Sequence, residues 1–192
     1  AELPTDADVF FWGESVFDRL GRFRGLGQEM ATIVLESLRA YPVWQAELAV
    51  RATVRQLGRF GTGEGVVGEA WHTYAIVERF TPAATSAMRA ARQQHGQLGF
   101  AFINRIHVPV AFACMLLLVP IAFWGLRRAA FADLGGLAVT VALALLANAV
   151  ICGVLSNPHD RYGARLAWLA PLAVLLAAGR LLGPAPDAAR RG

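Results

Sequence analysis

The sequence predicts an all-α polytopic membrane protein, with three transmembrane helices preceded by a helical extracytoplasmic or interfacial region. Two observations carry this. Residues 108–126, 134–155 and 166–182 are apolar runs almost without charge, Arg180 being the exception. A bilayer's hydrocarbon core takes about 20 apolar helical residues to cross. The first two runs reach that length, and the third ends by snorkelling Arg180 to the headgroups. Charge is also unevenly placed: residues 1–105 hold 11 Arg against 11 Asp plus Glu, whereas residues 106–192 hold 7 Arg against 3 Asp and carry the net +4. The expected organisation is a helical extracytoplasmic or membrane-surface region over residues 1–107, a three-helix transmembrane domain over 108–182 and a disordered tail over 183–192.

The elements follow in order. Residues 1–26 mix glycines with Phe10, Phe11, Trp12, Phe17 and Phe23, and read as an irregular segment docking on something apolar. Residues 28–41 read as a helix, because Met30, Ile33, Val34 and Leu38 recur at helical spacing. Pro42 stops it and can open the next helix at its first turn. That helix covers 43–60, with Val50, Val54 and Leu57 as its stripe and Arg51, Arg55 and Arg59 on a neighbouring face. Such a row fits either a helix in the headgroup plane or a solvated face on a bundle. Gly61-Thr62-Gly63-Glu64-Gly65 reads as a flexible turn. A third helix covers 66–80, with Trp71, Tyr74 and Val77 on its buried side. Thr81-Pro82 then provides an N-cap and a first-turn proline for a fourth helix over 83–95, closed by Gly96.

Several function classes are excluded. The 18 basic residues are all Arg. Without lysine there is no Schiff-base or pyridoxal-phosphate chemistry and no phosphate-binding Walker loop. The positive charge flanks membrane spans and does not form the basic, aromatic-laced stripe of a nucleic-acid binder. Cys114 and Cys152 lie inside apolar runs without metal spacing; they read as small lipid- or helix-facing residues, or as a contact between the first two spans. No hydrolase signature is present. The pair Asp6 and Asp8 reads as part of a solvated terminus.

Arginine placement sets the expected topology. Arg127, Arg128, Arg180, Arg190 and Arg191 fall on one side of three spans, and Arg105, Arg161 and Arg165 on the other. The larger cluster marks the cytoplasmic side. Residues 1–107 and the loop 156–165 then face outward, in a bacterial inner membrane.

That outer face is the candidate site. Arg105, His107, His159, Arg161 and Arg165 can all donate to phosphate, and arginine matches phosphate bidentately. Tyr162 and Trp168 supply an aromatic belt. His107 and His159, both at span ends, also raise haem ligation, although buried haem wants histidines within spans. Asn148, inside the second span, must find a hydrogen bond, and Thr140 about two turns earlier can join it in helix packing.

His159-Asp160-Arg161-Tyr162, leading into the Pro171-containing helix, resembles the late Arg-Tyr-…-Pro-Leu segment of GT-C type glycosyltransferases. Residues 92–98 and 148–162 are also similar to C-terminal portions of proteobacterial membrane proteins. The GT-C resemblance spans about the last 60 residues. It implies Arg161 and Tyr162 as phosphate contacts for a polyprenyl-phosphate donor. The family's catalytic carboxylate follows an N-terminal span that this chain does not show, so the resemblance implies either a C-terminal part with upstream spans elsewhere or a relative without its catalytic half.

The leading expectation is a membrane-embedded subunit or C-terminal module, not catalytic on its own. It packs against partner helices and binds lipid phosphate at the outer interface. The alternatives are the GT-C-like enzyme part and an accessory subunit of a respiratory or photosynthetic complex. Expected partners are membrane lipids and other subunits or upstream spans, with no nucleic acid; no cofactor or metal is expected.

Overall fold

The computed structural model describes residues 5, 7–12, 15–66 and 71–183, without the side chains of Ala7, Asp8, Trp12, Trp71 and His72. The Asp6–Asp8 pair, the buried role of Trp71, the first turn of the helix expected over 66–80 and the tail beyond Gly183 therefore lie outside the described residues. In order, the helices are α1 (Ala7–Trp12), α2 (Val16–Arg19), α3 (Gly27–Ala40), α4 (Pro42–Leu57), α5 (Trp71–Phe80), α6 (Thr85–Arg89), α7 (Ala101–Arg127), α8 (Ala132–Val154), α9 (Asp160–Ala167) and α10 (Leu169–Leu182). No strand occurs among the described residues. The protein is all-α, and three stretches, Ala101–Arg127, Ala129–Val154 and Asp160–Leu182, are long and apolar enough to cross a membrane.

Packing divides the chain into two compact units, Ala1–Leu48 and Ala49–Gly192. The boundary between them lies inside α4.

In the first unit, the segment expected to be irregular forms two short helices. Ser15 and Asp18 make a reciprocal capping box at the start of α2, which satisfies orphan amides at both positions. Phe17 is buried, with its ring 5.3 Å from Phe10, 5.2 Å from Phe11 and 5.0 Å from Phe23. The aromatics thus find one another. The periodic stripe of α3, Ile33, Val34 and Leu38, remains exposed.

In the second unit, α7, α8 and α10 form a bundle whose interior is made largely of small residues. Ala138, Ala149, Ala170, Ala173 and Ala177 are buried alongside Leu118, Val141 and Leu145, whereas Phe102, Leu116, Val119, Trp124, Leu143 and Leu175 face outward. This is the arrangement of helices packed in lipid, where close backbone approach replaces the hydrophobic drive between side chains. The closest approach joins α7 to α8: a Cβ on Gly125 would lie 2.6 Å from the Gly135 Cα. Pro109 and Pro120 sit within α7 without ending it, as spanning helices tolerate.

Two expected elements differ, and α4 shows a buried face besides its stripe. The helix expected over 83–95 is a 3-10 turn, Pro82–Ala84, followed by α6 and turns to Gly96. Pro82 takes the first position, but Thr81 makes no side-chain cap bond. In α4, the buried face is not the Val50–Val54 stripe. Both valines are exposed, while Gln56 is only 1% exposed. The expected loop 156–165 is half helical, because α9 begins at Asp160. The α9–α10 break at Trp168 has a local cause: Pro171 has no amide to offer the Ala167 carbonyl.

Candidate functional site

The second half of α4 carries a small-residue face, Ala49, Ala52 and Thr53, leading to Gln56. Small residues let it approach α8 closely: a Cβ on Gly153 would lie 2.8 Å from the Ala52 carbonyl oxygen. Glycine is equally required at 163 in α9, where a Cβ would collide with the Arg59 carbonyl oxygen. Phe60 follows, buried with Ala111 and Ala167 and 4.7 Å from the Phe112 ring. The gap left between this segment and Met115, Leu145 and Asn148 is only about 10 Å³, room for at most about one water.

Polar groups withdrawn from water need partners, and here the buried Gln56 and its part-buried neighbours bolt residues 56–64 onto residues 158–161. The Gln56 amide pairs reciprocally with the His159 backbone, donating from Nε2 to its carbonyl at 3.0 Å and accepting its N–H at 2.9 Å. Arg59 donates to the Pro158 carbonyl at 2.6 Å, and the Gly61 N–H donates to Asp160 Oδ1 at 2.9 Å. A second reciprocal pair reaches α7: the Thr62 N–H donates to Asn104 Oδ1 at 2.7 Å, and Asn104 Nδ2 donates to the Thr62 carbonyl at 2.9 Å. Gly63 has φ +106°, and a side chain there would run into the Phe100 ring, so the turn needs glycine.

Beside Asp160, the second carboxylate of this cluster is Glu64. One carboxylate oxygen lies 2.8 Å from His159 Nδ1, and the other accepts the Arg161 N–H at 3.0 Å. A carboxylate only accepts, so Nδ1 carries the proton. The second bond satisfies an orphan amide at the start of α9. Burial pushes the Glu64 carboxyl up, but the His159 hydrogen bond, the Arg161 N–H, the His159 charge and the Asp160 N–H together hold it below its usual value.

The expected phosphate donors therefore divide. His107 Nε2 sits 2.9 Å from the Phe60 carbonyl oxygen, and His159 faces Glu64, so each histidine is engaged by the 56–64 segment. Arg161 is exposed and donates to the Tyr162 hydroxyl at 3.2 Å. That hydroxyl also lies 3.3 Å from Ser156 Oγ. Arg105 and Arg165 are exposed, and the Arg165 carbonyl accepts the Trp168 indole N–H at 2.9 Å. The two helix-packing residues also divide. Asn148 turns inward and donates to the Tyr162 carbonyl at 3.3 Å, whereas Thr140 is exposed and bonds within its own helix to the Gly136 carbonyl at 2.9 Å. Cys114 and Cys152 are free thiols, and Cys152 lies 3.5 Å from Asn148 Oδ1. Among the described residues no three His, Cys, Asp or Glu side chains group as metal ligands.

Sequence reading left Gln56, Arg59, Asn104, Glu64 and Asp160 out of the candidate site. The signal for Gln56 was a polar residue closing a run of small ones on one helix face. No local pattern pairs Glu64 with His159, 95 residues away. No protein-family model, curated protein or solved structure matches this chain.

Proposed function

We propose that the chain is a membrane-embedded module, not catalytic on its own, that packs against partner helices and holds lipid phosphate at the face bearing residues 156–165. The observation that carries this reading is the bolted segment: Gln56, Arg59, Gly61 and Glu64 satisfy the polar groups of residues 158–161 internally. Arg105, Arg161 and Arg165 are left exposed around that plug. A rigid end ringed by guanidinium groups suits phosphate recognition, because arginine presents planar, permanently charged donor pairs. Thr140 and the exposed leucines and valines of α7 and α8 supply the surface for lipid or partner helices. Arginine asymmetry supports placing residues 156–165 outside a bacterial inner membrane. A cysteine at Ser86 should then label with an impermeant reagent only from the outer side.

The test is phosphate counting in purified protein. Arg105→Ala with Arg165→Ala should lower co-purified anionic phospholipid, and adding Arg161→Ala should lower it further. Unchanged lipid in the triple variant overturns the proposal.

A further inference from the structure

The opposite end of the bundle carries a groove of about 260 Å³, lined by apolar side chains including Leu117, Ile121, Trp124, Leu134 and Leu181, with Arg128 also on its wall. Its origin is visible in the packing. Gly125 and Gly135 draw α7 and α8 together at this end. The last turns of α10 meet them with the small, buried Ala177, and space is left beside Trp124. Arg128 is exposed, and among the described residues its guanidinium has no hydrogen-bond or ion-pair partner. Arg127, next to it, lies over the Phe123 ring with its guanidinium carbon 3.7 Å from the centroid. The described residues at this end carry three arginines, Arg127, Arg128 and Arg180, against the single acid Asp133. Asp133 occupies the first turn of α8, where a carboxylate favours the helix dipole.

We infer that this groove seats one acyl chain of an anionic phospholipid, with the headgroup phosphate on Arg128. An apolar slot at a membrane interface calls for a hydrocarbon chain. The net positive charge at the same end selects an anionic headgroup over a zwitterionic one. Arg128 makes the selection because its guanidinium donors are uncommitted among the described residues, and Arg127 adds charge while its guanidinium rests on Phe123. The site is distinct from the arginines around residues 156–165 and does not depend on the reading of that face.

Trp124 provides the readout, because it lines the groove. The full chain is reconstituted in phosphatidylcholine vesicles containing a minor fraction of bromine-tailed phosphatidylglycerol, or of phosphatidylcholine with the same brominated chain. Subtracting the Trp124→Phe protein isolates this indole from the other four tryptophans. The expected result is stronger quenching by the phosphatidylglycerol, with a roughly fivefold preference in relative association, the size that one interfacial arginine confers. Arg128→Gln should abolish the preference and Arg128→Lys should retain part of it. Leu181→Phe, which fills the slot without altering charge, should reduce quenching by both lipids. Equal quenching by the two lipids in the unmodified chain would show ordinary annular contact and overturn the inference. So would a preference that survives Arg128→Gln.

Discussion

Replacing Gly163 by alanine tests whether the 56–64 segment seats directly on α9. In an isolated helix the change favours folding, since glycine is about 1 kcal/mol worse than alanine. Here the new Cβ would collide with the Arg59 carbonyl oxygen and approach the Arg59 carbonyl carbon at 3.0 Å and the Phe60 Cβ at 3.2 Å. The first two neighbours are backbone atoms, so no rotamer change relieves the contact. Overpacking of this kind costs about 1–3 kcal/mol. Displacing the segment also strains the Gly61–Asp160 and Glu64–His159 bonds, each worth about 1 kcal/mol. Against the propensity gain, the net expectation is destabilisation by about 2 kcal/mol. The internal control is Gly136→Ala in α8, where an added Cβ meets nothing within 4 Å; it should be neutral or stabilising by up to about 1 kcal/mol. Equilibrium unfolding in mixed micelles, followed by tryptophan fluorescence, compares the two. A Gly163→Ala protein as stable as the unmodified chain would refute the seating of this segment on α9.

Two further predictions follow from the same cluster. Gln56→Leu leaves the His159 N–H and carbonyl without their reciprocal partner, at a cost of about 2 kcal/mol in the same unfolding experiment; a loss under about 0.5 kcal/mol would show the pair to be solvated. Glu64 has a folded pKa below its usual value, so its stabilisation is present above the unfolded pKa and disappears as pH falls through the folded one. The unfolding midpoint should therefore drop on acidification through and below about pH 4. Glu64→Gln should flatten that part of the profile, and an unaltered acid limb would place the acid sensitivity elsewhere.

How much of this was legible in the sequence depends on the range of the signal. The spans are written in consecutive apolar residues, so α7, α8 and α10 were found with ends shifted by up to seven residues. Helix α3 was found from its apolar period, although that stripe remains exposed. In α4 the same kind of period did not mark the face that packs. Val50 and Val54 are exposed, and the face of α4 that packs carries the small residues Ala49 and Ala52 and the buried Gln56. His159, Arg161 and Tyr162 stood together in the sequence as one stretch, whereas Asn148, expected to pack with Thr140, instead donates to the Tyr162 carbonyl. The stretch's counter-charge was not legible, because Glu64 sits in a glycine-rich turn that reads as flexible until its bonds to His159 and Arg161 hold it. For the same reason residues 160–165 read as loop: the amide acceptor at the start of α9 comes from 97 residues upstream.

The most direct measurement is a disulfide between position 61 and position 160. A Cβ at Gly61 would lie 3.4 Å from Asp160 Cγ, within the reach a disulfide needs. With Cys114 and Cys152 replaced by serine, Gly61→Cys and Asp160→Cys should cross-link rapidly in native membranes under mild oxidation. The control pair, Gly96→Cys with Asp160→Cys, should not, since a Cβ at Gly96 meets nothing within 4 Å. Peptide mass after proteolysis identifies the bond. Cross-linking at 61/160 no faster than the control would contradict the bolting of residues 56–64 onto residues 158–161.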